Sequence, residues 1–203
     1  MIGAMTAVLG AGAVAAPACG SSAGQPSPVF ARTVVLAPVG GRVLVNVGGG
    51  FVHLTRPRAV RVGALVDTTD GTVRLTSANP TGKTQTGRFF RGIFRIEQNR
   101  SAGGLVNLVI RDNLNSSACG TSAARSAAVN RRVLGLLRGT AKGSFRTTGR
   151  FAAATVRGTD WGVRNRCDGT LTVVRTVVVA VLDFRLHKTV IVRAGQTYLA
   201  QAP

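Results

Sequence analysis

The chain contains few side chains that could take part in catalysis. It has seven acidic residues and two histidines among 203 residues. Neither His53 nor His187 has a second His or Cys at the spacing of a metal site. No pair of acids is placed for glycosidase chemistry, and no G-x-S-x-G serine motif occurs. We therefore expect a protein that is not an enzyme, unless folding assembles a site from scattered residues, such as His53 beside an acid.

Two glycine-containing stretches are partial matches to nucleotide-binding motifs. Residues 10–15 fit G-x-G-x-x-A, but the first acid after them is Asp67. A dinucleotide site needs an acid about 20 residues further on. Residues 82–84, Gly-Lys-Thr, match the end of a phosphate-binding loop, but Ser77 stands where its first glycine would be. The sequence predicts no cofactor and no metal.

Positive charge is the most unusual feature of the composition. Lys and Arg total 26 against seven Asp and Glu, and the formal net charge is +19. Such a field attracts polyanions, including anionic polymers of a cell wall. We expect recognition to rest on arginines of the strand-like segments, namely Arg88, Arg91, Arg95, Arg157 and Arg164. The alternative is that these arginines lie in solvent on the outer faces of strands and bind no ligand.

Aromatic residues interleave with some of these arginines, as in proteins that bind single-stranded nucleic acid. Alternation places Phe90 and Phe94 on one face of a strand, which is also the pattern of a core. No nucleic-acid-binding motif occurs. A nucleic-acid partner is therefore not expected.

The cysteines indicate one disulfide. Cys119 and Cys167 are far apart in the chain, and neither belongs to a C-x-x-C pair. In an exported protein the simplest expectation is that they bond to each other, and two buried thiols are the alternative. The third, Cys19, follows a small-x-small site at residues 16–18. Cleavage there without lipidation is the expectation, and lipidation of Cys19 is the alternative.

Most of the chain is patterned as β-strands. Val, Thr, Gly and Arg dominate, and residues 72–76 alternate so that Val73 and Leu75 face a core while Arg74 faces outward. Asp70-Gly71 indicates a hairpin. Residues 171–184 fit one strand buried on both faces or two strands joined without a strong turn. Residues 122–137 are the one helix candidate, and its arginines would lie in solvent or on an anionic surface.

The end of the chain has a distinctive series of corners and strands. Gly158-Thr159 precedes Trp161, residues 169–174 form a strand-like run, and residues 194–196 read Ala-Gly-Gln. These residues resemble the FecR-type β-domain, and residues 62–75 resemble its opening. The resemblance is strongest over 151–198. It implies an all-β sandwich or roll in which Gly158, Thr159 and Trp161 form a structural corner. Two departures are Thr176, where the family usually has Gly, and residues 97–143, which read as a long insertion.

These features predict three segments. Residues 1–18 resemble an export signal, residues 19–28 a linker, and residues 29–203 a single FecR-like β-domain with the insertion and one short helix. The expected location is the cell envelope or the extracellular space, with no transmembrane helix in the mature chain. The expected function is binding of an anionic wall polymer, a glycan or a protein. The alternative is a homo-oligomeric filament or assembly, in which an arm at residues 29–38 adds to a neighbour's sheet.

Overall fold

The fold is all-β, as the sequence predicts. The computed structural model of the chain describes residues 26–112, 119 and 131–203. The strands are β1 (Thr33–Gly41), β2 (Leu44–Asn46), β3 (Phe51–His53), β4 (Arg58–Arg61), β5 (Leu65–Asp67), β6 (Gly71–Ala78), β7 (Thr84–Phe90), β8 (Ile93–Gln98), β9 (Val106–Arg111), β10 (Val133–Lys142), β11 (Phe145–Thr148), β12 (Ala152–Val156), β13 (Thr159–Arg166), β14 (Gly169–Val174), β15 (Val178–Asp183), β16 (Lys188–Arg193) and β17 (Thr197–Gln201). A short 3₁₀ turn, Arg100–Ala102, separates β8 from β9.

The strands form two sheets of a sandwich. The eight-stranded sheet has the order β17-β14-β13-β10-β7-β6-β1-β4, and the nine-stranded sheet has the order β16-β15-β12-β11-β9-β8-β5-β2-β3. Neighbours are antiparallel except for β9 and β11, which are parallel. The chain passes repeatedly from one sheet to the other, so residues distant in sequence meet on each outer face.

One apolar core fills the space between the sheets. Its largest members are Trp161, Phe89, Phe94 and Phe145, all fully buried. The Phe89 ring lies 5.9 Å from Phe94, 5.5 Å from Phe145 and 6.1 Å from Trp161, measured between ring centroids. Edge-to-face and tilted geometries of this kind add to the free energy gained by burial alone. This aromatic cluster joins β7 and β13 of one sheet to β8 and β11 of the other.

Many of the crossings between sheets contain a residue with positive φ. Apart from the connection between β9 and β10, each crossing turns the chain within two to four residues, and positive φ permits such a sharp turn. The residues at these crossings are Gly41, Gly63, Arg91, Gly143, Gly158, Val177 and Gly195. Arg91 and Val177 adopt this conformation although they carry a Cβ, with φ of 68° and 60°. Their surroundings must therefore offset a backbone cost of about 1–3 kcal/mol each.

At two crossings between the sheets, the structure differs from what the sequence predicts. Asp70-Gly71 does not form a hairpin, because β5 lies in the nine-stranded sheet and β6 in the eight-stranded sheet. Phe90 and Phe94 do not share a strand face, because the chain turns at Arg91. Phe89 and Phe94 are the fully buried pair instead. Residues 171–184 belong to two strands, β14 and β15, one in each sheet.

The prediction of a helix over residues 122–137 is wrong for residues 133–137. Residues 133–137 begin β10, which pairs with β7 and β13 in the middle of the eight-stranded sheet. Leu134 and Leu137 of this strand are both buried, and the register with β13 shifts between Val133 and Gly135. Residues 122–130 lie outside the described residues. Of the segment 97–143, β9 and β10 occupy interior positions in the two sheets.

The arm expected at residues 29–38 is not free. β1 pairs with β6 on one side and with β4 on the other, so both of its edges are occupied within the chain. Strand addition by this segment to a neighbour would require those pairings to break. Residues 1–18 and all of the linker except 26–28 lie outside the described residues. Among those described, no helix has the length and apolar character needed to cross a membrane.

The expected disulfide is present. Cys119 and Cys167 are bonded, with their Cα atoms 5.4 Å apart. Both are buried, and they pack with Leu134 of β10 in a small cluster separate from the main core. The bond ties the residues that precede β10 to the turn between β13 and β14. It therefore fixes one end of the eight-stranded sheet.

Candidate polyanion-binding groove

Basic side chains are aligned on the outer face of the eight-stranded sheet. Val73 and Leu75 of β6 are buried, so Arg74 between them faces outward. Arg74 lies directly opposite Arg88 of β7 in the strand register. Lys142 of β10 lies opposite Thr86, two residues before Arg88. These three cations, all exposed, line one groove and define what we call the basic groove.

The pairing of Arg74 with Arg88 is unfavourable by itself. Like charges directly opposite each other on neighbouring strands destabilise a sheet. Within the described residues, the side chains of Arg74, Arg88 and Lys142 make no hydrogen bond or salt bridge. The salt bridges found there lie elsewhere and join Arg42 to Asp70, Arg150 to Asp112 and Arg166 to Asp168. Within the described residues, no salt bridge compensates the positive charge of the basic groove.

The groove is open and has a volume of about 670 Å³. Its floor is formed by β6, β7 and β10, and one wall is formed by Gly158, Thr159, Asp160 and Thr176. Asp160 is the one acidic residue that lines it. A carboxylate oxygen of Asp160, Oδ1, is buried and has no hydrogen-bond partner among the described residues. The groove therefore offers several cationic donors and one strong acceptor.

Two corners of the chain are joined to build this wall. The Thr159 hydroxyl donates a hydrogen bond to the carbonyl oxygen of Thr176. The Asp160 N–H donates to the Thr176 hydroxyl at 2.9 Å, and the Arg175 N–H donates to the Asp160 carbonyl at 2.9 Å. Thr176 thus links the two corners through its carbonyl oxygen and its hydroxyl.

Gly158 adopts a positive φ at this corner, +99°. A Cβ added there would lie 3.7 Å from the nearest atom, the carbonyl oxygen of Ala141, which is an ordinary contact. The glycine is therefore required by its backbone conformation and not by close packing. Trp161 supports the corner from the core side, because it is buried and its indole N–H donates to the Thr147 hydroxyl at 3.1 Å.

Further basic residues continue along the same face. Arg138 of β10 places its guanidinium 5.0 Å from the centre of the Phe90 ring, a cation–π contact. Opposite Arg138 in the register is Gly162, where an added Cβ would lie 3.3 Å from the Arg138 Cγ. Arg91 and Arg138 line a second, shallower groove at the end of the sheet. The basic surface thus extends across several strands.

The structure brings together only some of the residues that the sequence singled out. Arg88 and Arg164 share the outer face of the eight-stranded sheet, and Arg91 lies at its end. Arg157 is exposed at the crossing beside Gly158. Arg95 lies on the other sheet, where it opposes Leu65 and Val109. Sequence reasoning missed Arg74, Arg138 and Lys142 as site residues, although alternation had placed Arg74 outward.

The His, Cys, Asp and Glu side chains of the described part of the chain do not assemble a metal centre. No group of three His, Cys, Asp or Glu residues there could hold a metal ion. The one acid with a shifted pKa, Asp183, is buried beside Tyr198, whose hydroxyl donates to it at 2.8 Å. Burial raises the pKa of Asp183, but hydrogen bonds from the Leu186 N–H, Tyr198 and the Arg185 N–H lower it below its ordinary value. This arrangement stabilises a carboxylate within the fold.

The surroundings of Tyr198 change its pKa in the opposite direction. Burial, the hydrogen bond to Asp183 and the charge of Asp183 raise the pKa of Tyr198. Tyr198 belongs to β17 and Asp183 to β15, so their hydrogen bond joins the two sheets. The pair is a structural contact, since neither residue lines the basic groove.

Comparison of the chain with protein-family models, with curated proteins and with solved structures finds no match.

Proposed function

We propose that the protein is a non-enzymatic binding domain that holds an anionic polymer along the outer face of the eight-stranded sheet. The observation that carries this proposal is the Arg74–Arg88 pair. Two arginines face each other across neighbouring strands without any acidic partner among the described residues. A bound anionic group would offset their repulsion by accepting hydrogen bonds from both guanidinium groups.

The shape of the surface favours an extended ligand over a small anion. Neighbouring strands are about 4.8 Å apart, so basic residues on β6, β7, β10 and β13 span a width of several strands. Arg74, Arg88, Arg138 and Arg164 lie on this path. A polymer with repeated anionic groups can contact them one after another, whereas a single small anion can contact only one or two.

Asp160 favours a polymer that also carries hydroxyl groups. Its buried Oδ1 lacks a donor, and a sugar hydroxyl next to a carboxylate group would supply one. We therefore propose an acidic polysaccharide as the ligand class. The disulfide fits an oxidising compartment, and export to the cell envelope or extracellular space as a FecR-like domain remains part of this proposal.

The test compares two polymers and two matched variants. The protein is titrated with polygalacturonate and with polyglutamate at low ionic strength. We expect tighter binding of polygalacturonate, and a loss of about tenfold or more in Arg74→Gln/Arg88→Gln. The control Arg111→Gln/Arg193→Gln removes the same charge from exposed arginines of the nine-stranded sheet. An equal loss of affinity in both double variants would show that binding depends only on net charge. That result would reject the basic groove as the binding site.

A second candidate function, a subunit of an assembly of identical copies, is favoured by one observation. The terminal strands of the nine-stranded sheet both expose large apolar side chains. They are Phe51 and Val52 on β3 and Ile191 on β16, and each is more than 40% exposed. Pairing of β3 with β16 of another copy would extend the sheet.

Sedimentation of the wild type and of Ile191→Lys tests this assembly. Particles that grow with protein concentration in the wild type and are lost in Ile191→Lys would support assembly through β16. A monomer at all concentrations would reject it.

A further inference from the structure

A second basic site lies at the β4 edge of the eight-stranded sheet and shares no lining residue with the basic groove. A cavity of about 650 Å³ opens where the chain passes from β4 to β5, beside the turn between β2 and β3. Arg58 and Arg61 of β4 line this cavity together with Arg95 of β8. No acidic residue is among the residues that line it.

Arg95 is the unusual member of this set. Its Nε atom is buried and has no hydrogen-bond partner among the described residues. In the strand register it lies between Leu65 and Val109, which provide no acceptor from their side chains. Burial of a charged donor without a partner costs free energy, so the Arg95 Nε suits a site in which an anion supplies the acceptor.

The nearby acids of β5 and β8 form no salt bridge with Arg95. Asp67 of β5 accepts a hydrogen bond from the Thr69 N–H at 2.8 Å. Glu97 of β8 accepts one from the Asn107 side-chain amide at 3.0 Å. Within the described residues, the Arg95 guanidinium therefore has no acidic partner.

The remaining lining residues suit a compact anion. Asn46 also lines the cavity, and its side-chain oxygen accepts from the Gly48 N–H at 2.8 Å. The Asn46 NH₂ group makes no hydrogen bond with the described residues, so it is one more available donor. Val60 and Ala64 are buried at the base, where they limit access of water.

We propose that this cavity binds a compact oxyanion, a phosphate or sulfate group, with the Arg95 guanidinium as the principal donor and the positive charge of Arg58 and Arg61 beside it. The fork of Arg donors matches the tetrahedral oxygens of such a group better than the single positive charge of Lys does. The group can be a free ion or a substituent on a polymer. The site is separate from the basic groove and stands whether or not the groove binds a polysaccharide.

The direct test is NMR of the arginine Nε–H groups in the wild-type protein. Titration with inorganic phosphate is expected to shift the Arg95 Nε–H signal and leave that of Arg111 in place, because Arg111 is exposed on β9 and does not line the cavity. Sulfate should compete with phosphate, whereas chloride at the same ionic strength should not. An Arg95 signal that does not move with phosphate or sulfate overturns the proposal.

Two variants measure the contribution of Arg95. Arg95→Gln is expected to weaken phosphate binding by about 10- to 100-fold, as removal of charge-assisted hydrogen bonds does. Arg111→Gln should leave it unchanged. Equal affinities of the two variants would overturn the assignment of Arg95.

A third titration, with a phosphorylated polysaccharide, distinguishes a free ion from a polymer substituent. If the polymer binds more strongly than phosphate and this binding is lost in Arg95→Gln, the ligand is a phosphate group attached to a polymer. Equal or weaker binding of the polymer identifies the free ion.

Discussion

The outer faces of the two sheets use their polar residues in different ways. On the nine-stranded sheet, polar side chains form a ladder across neighbouring strands. Asn107 donates to Glu97, Thr148 donates to Asn107 at 2.7 Å, and the Arg146 Nε donates to the Thr155 hydroxyl at 3.1 Å. On the eight-stranded sheet, Arg74 and Arg88 have no such partners among the described residues.

The difference separates arginines that support the fold from arginines available to a ligand. Net charge alone does not make this distinction, since both faces carry arginine. Hydrogen-bond satisfaction does, because a side chain already engaged gains less from an added anion. This difference supports the proposal that a ligand binds to the eight-stranded face, and Arg95 is the exception on the nine-stranded face.

The largest effect is expected from removal of the disulfide. Cys119→Ala/Cys167→Ala opens a loop closed over a sequence separation of 48 residues. We expect the free energy of unfolding to fall by about 4 kcal/mol, measured by urea denaturation. Because the bond fixes one end of the eight-stranded sheet, amide hydrogen exchange in β10 and β13 should rise more than in β11 and β12. Equal increases in both sheets would show that the bond does not support one sheet selectively.

A smaller loss is expected at the wall of the basic groove. Gly158→Val forces a β-branched residue into positive φ and should cost about 1–3 kcal/mol, without a further cost of overpacking. Gly158→Asn is the control, because Asn tolerates positive φ better, and it should lose clearly less. Thermal unfolding measures both variants. A Val variant as stable as the Asn variant would mean that this corner imposes no conformational demand.

Arginine removal should have opposite effects on the two faces. Arg88→Gln relieves repulsion from Arg74 and should stabilise the protein by about 0.2–1 kcal/mol. Arg146→Gln removes a hydrogen bond to Thr155 and should destabilise it by about 0.5–1.5 kcal/mol. Urea denaturation at low ionic strength measures both. If both variants change the free energy of unfolding in the same direction, the proposed difference between the two faces is wrong.

The smallest effect concerns acid stability. Because the folded pKa of Asp183 is lowered, its ionised form stabilises the fold above the unfolded pKa, which is about 3.9. That contribution is lost as the pH falls through the lower, folded pKa. Asp183→Asn should therefore show a shallower loss of stability below about pH 4 than the wild type. Parallel pH profiles would show that Asp183 does not link the two sheets through its charge.

Alternation and turn residues were enough to predict the fold class and several core positions. Alternation along residues 72–76 predicts the burial of Val73 and Leu75 and the outward position of Arg74, and the structure confirms all three. The prediction of a helix over 122–137 is wrong at its end because an Ala- and Leu-rich run fits the periods of both a helix and a strand. Pairing of β10 with β7 and β13 decides in favour of a strand.

The site was harder to predict than the fold. The opposition of Arg74 and Arg88 depends on the register of β6 and β7, and Lys142 joins them only because β10 pairs with β7. Crossings between sheets also placed Arg88 and Arg95 on different faces, although they are seven positions apart in one continuous segment. A single sequence does not contain this pairing information in its local pattern.

The measurement that tests the central claim most directly is the salt dependence of polygalacturonate binding. The wild-type affinity should fall steeply as ionic strength rises, and the slope of log K against log salt should become shallower by about 2 in Arg74→Gln/Arg88→Gln. Arg111→Gln/Arg193→Gln should keep the wild-type slope. An affinity independent of salt, or the same slope in all three proteins, would contradict the assignment of the binding surface to the basic groove.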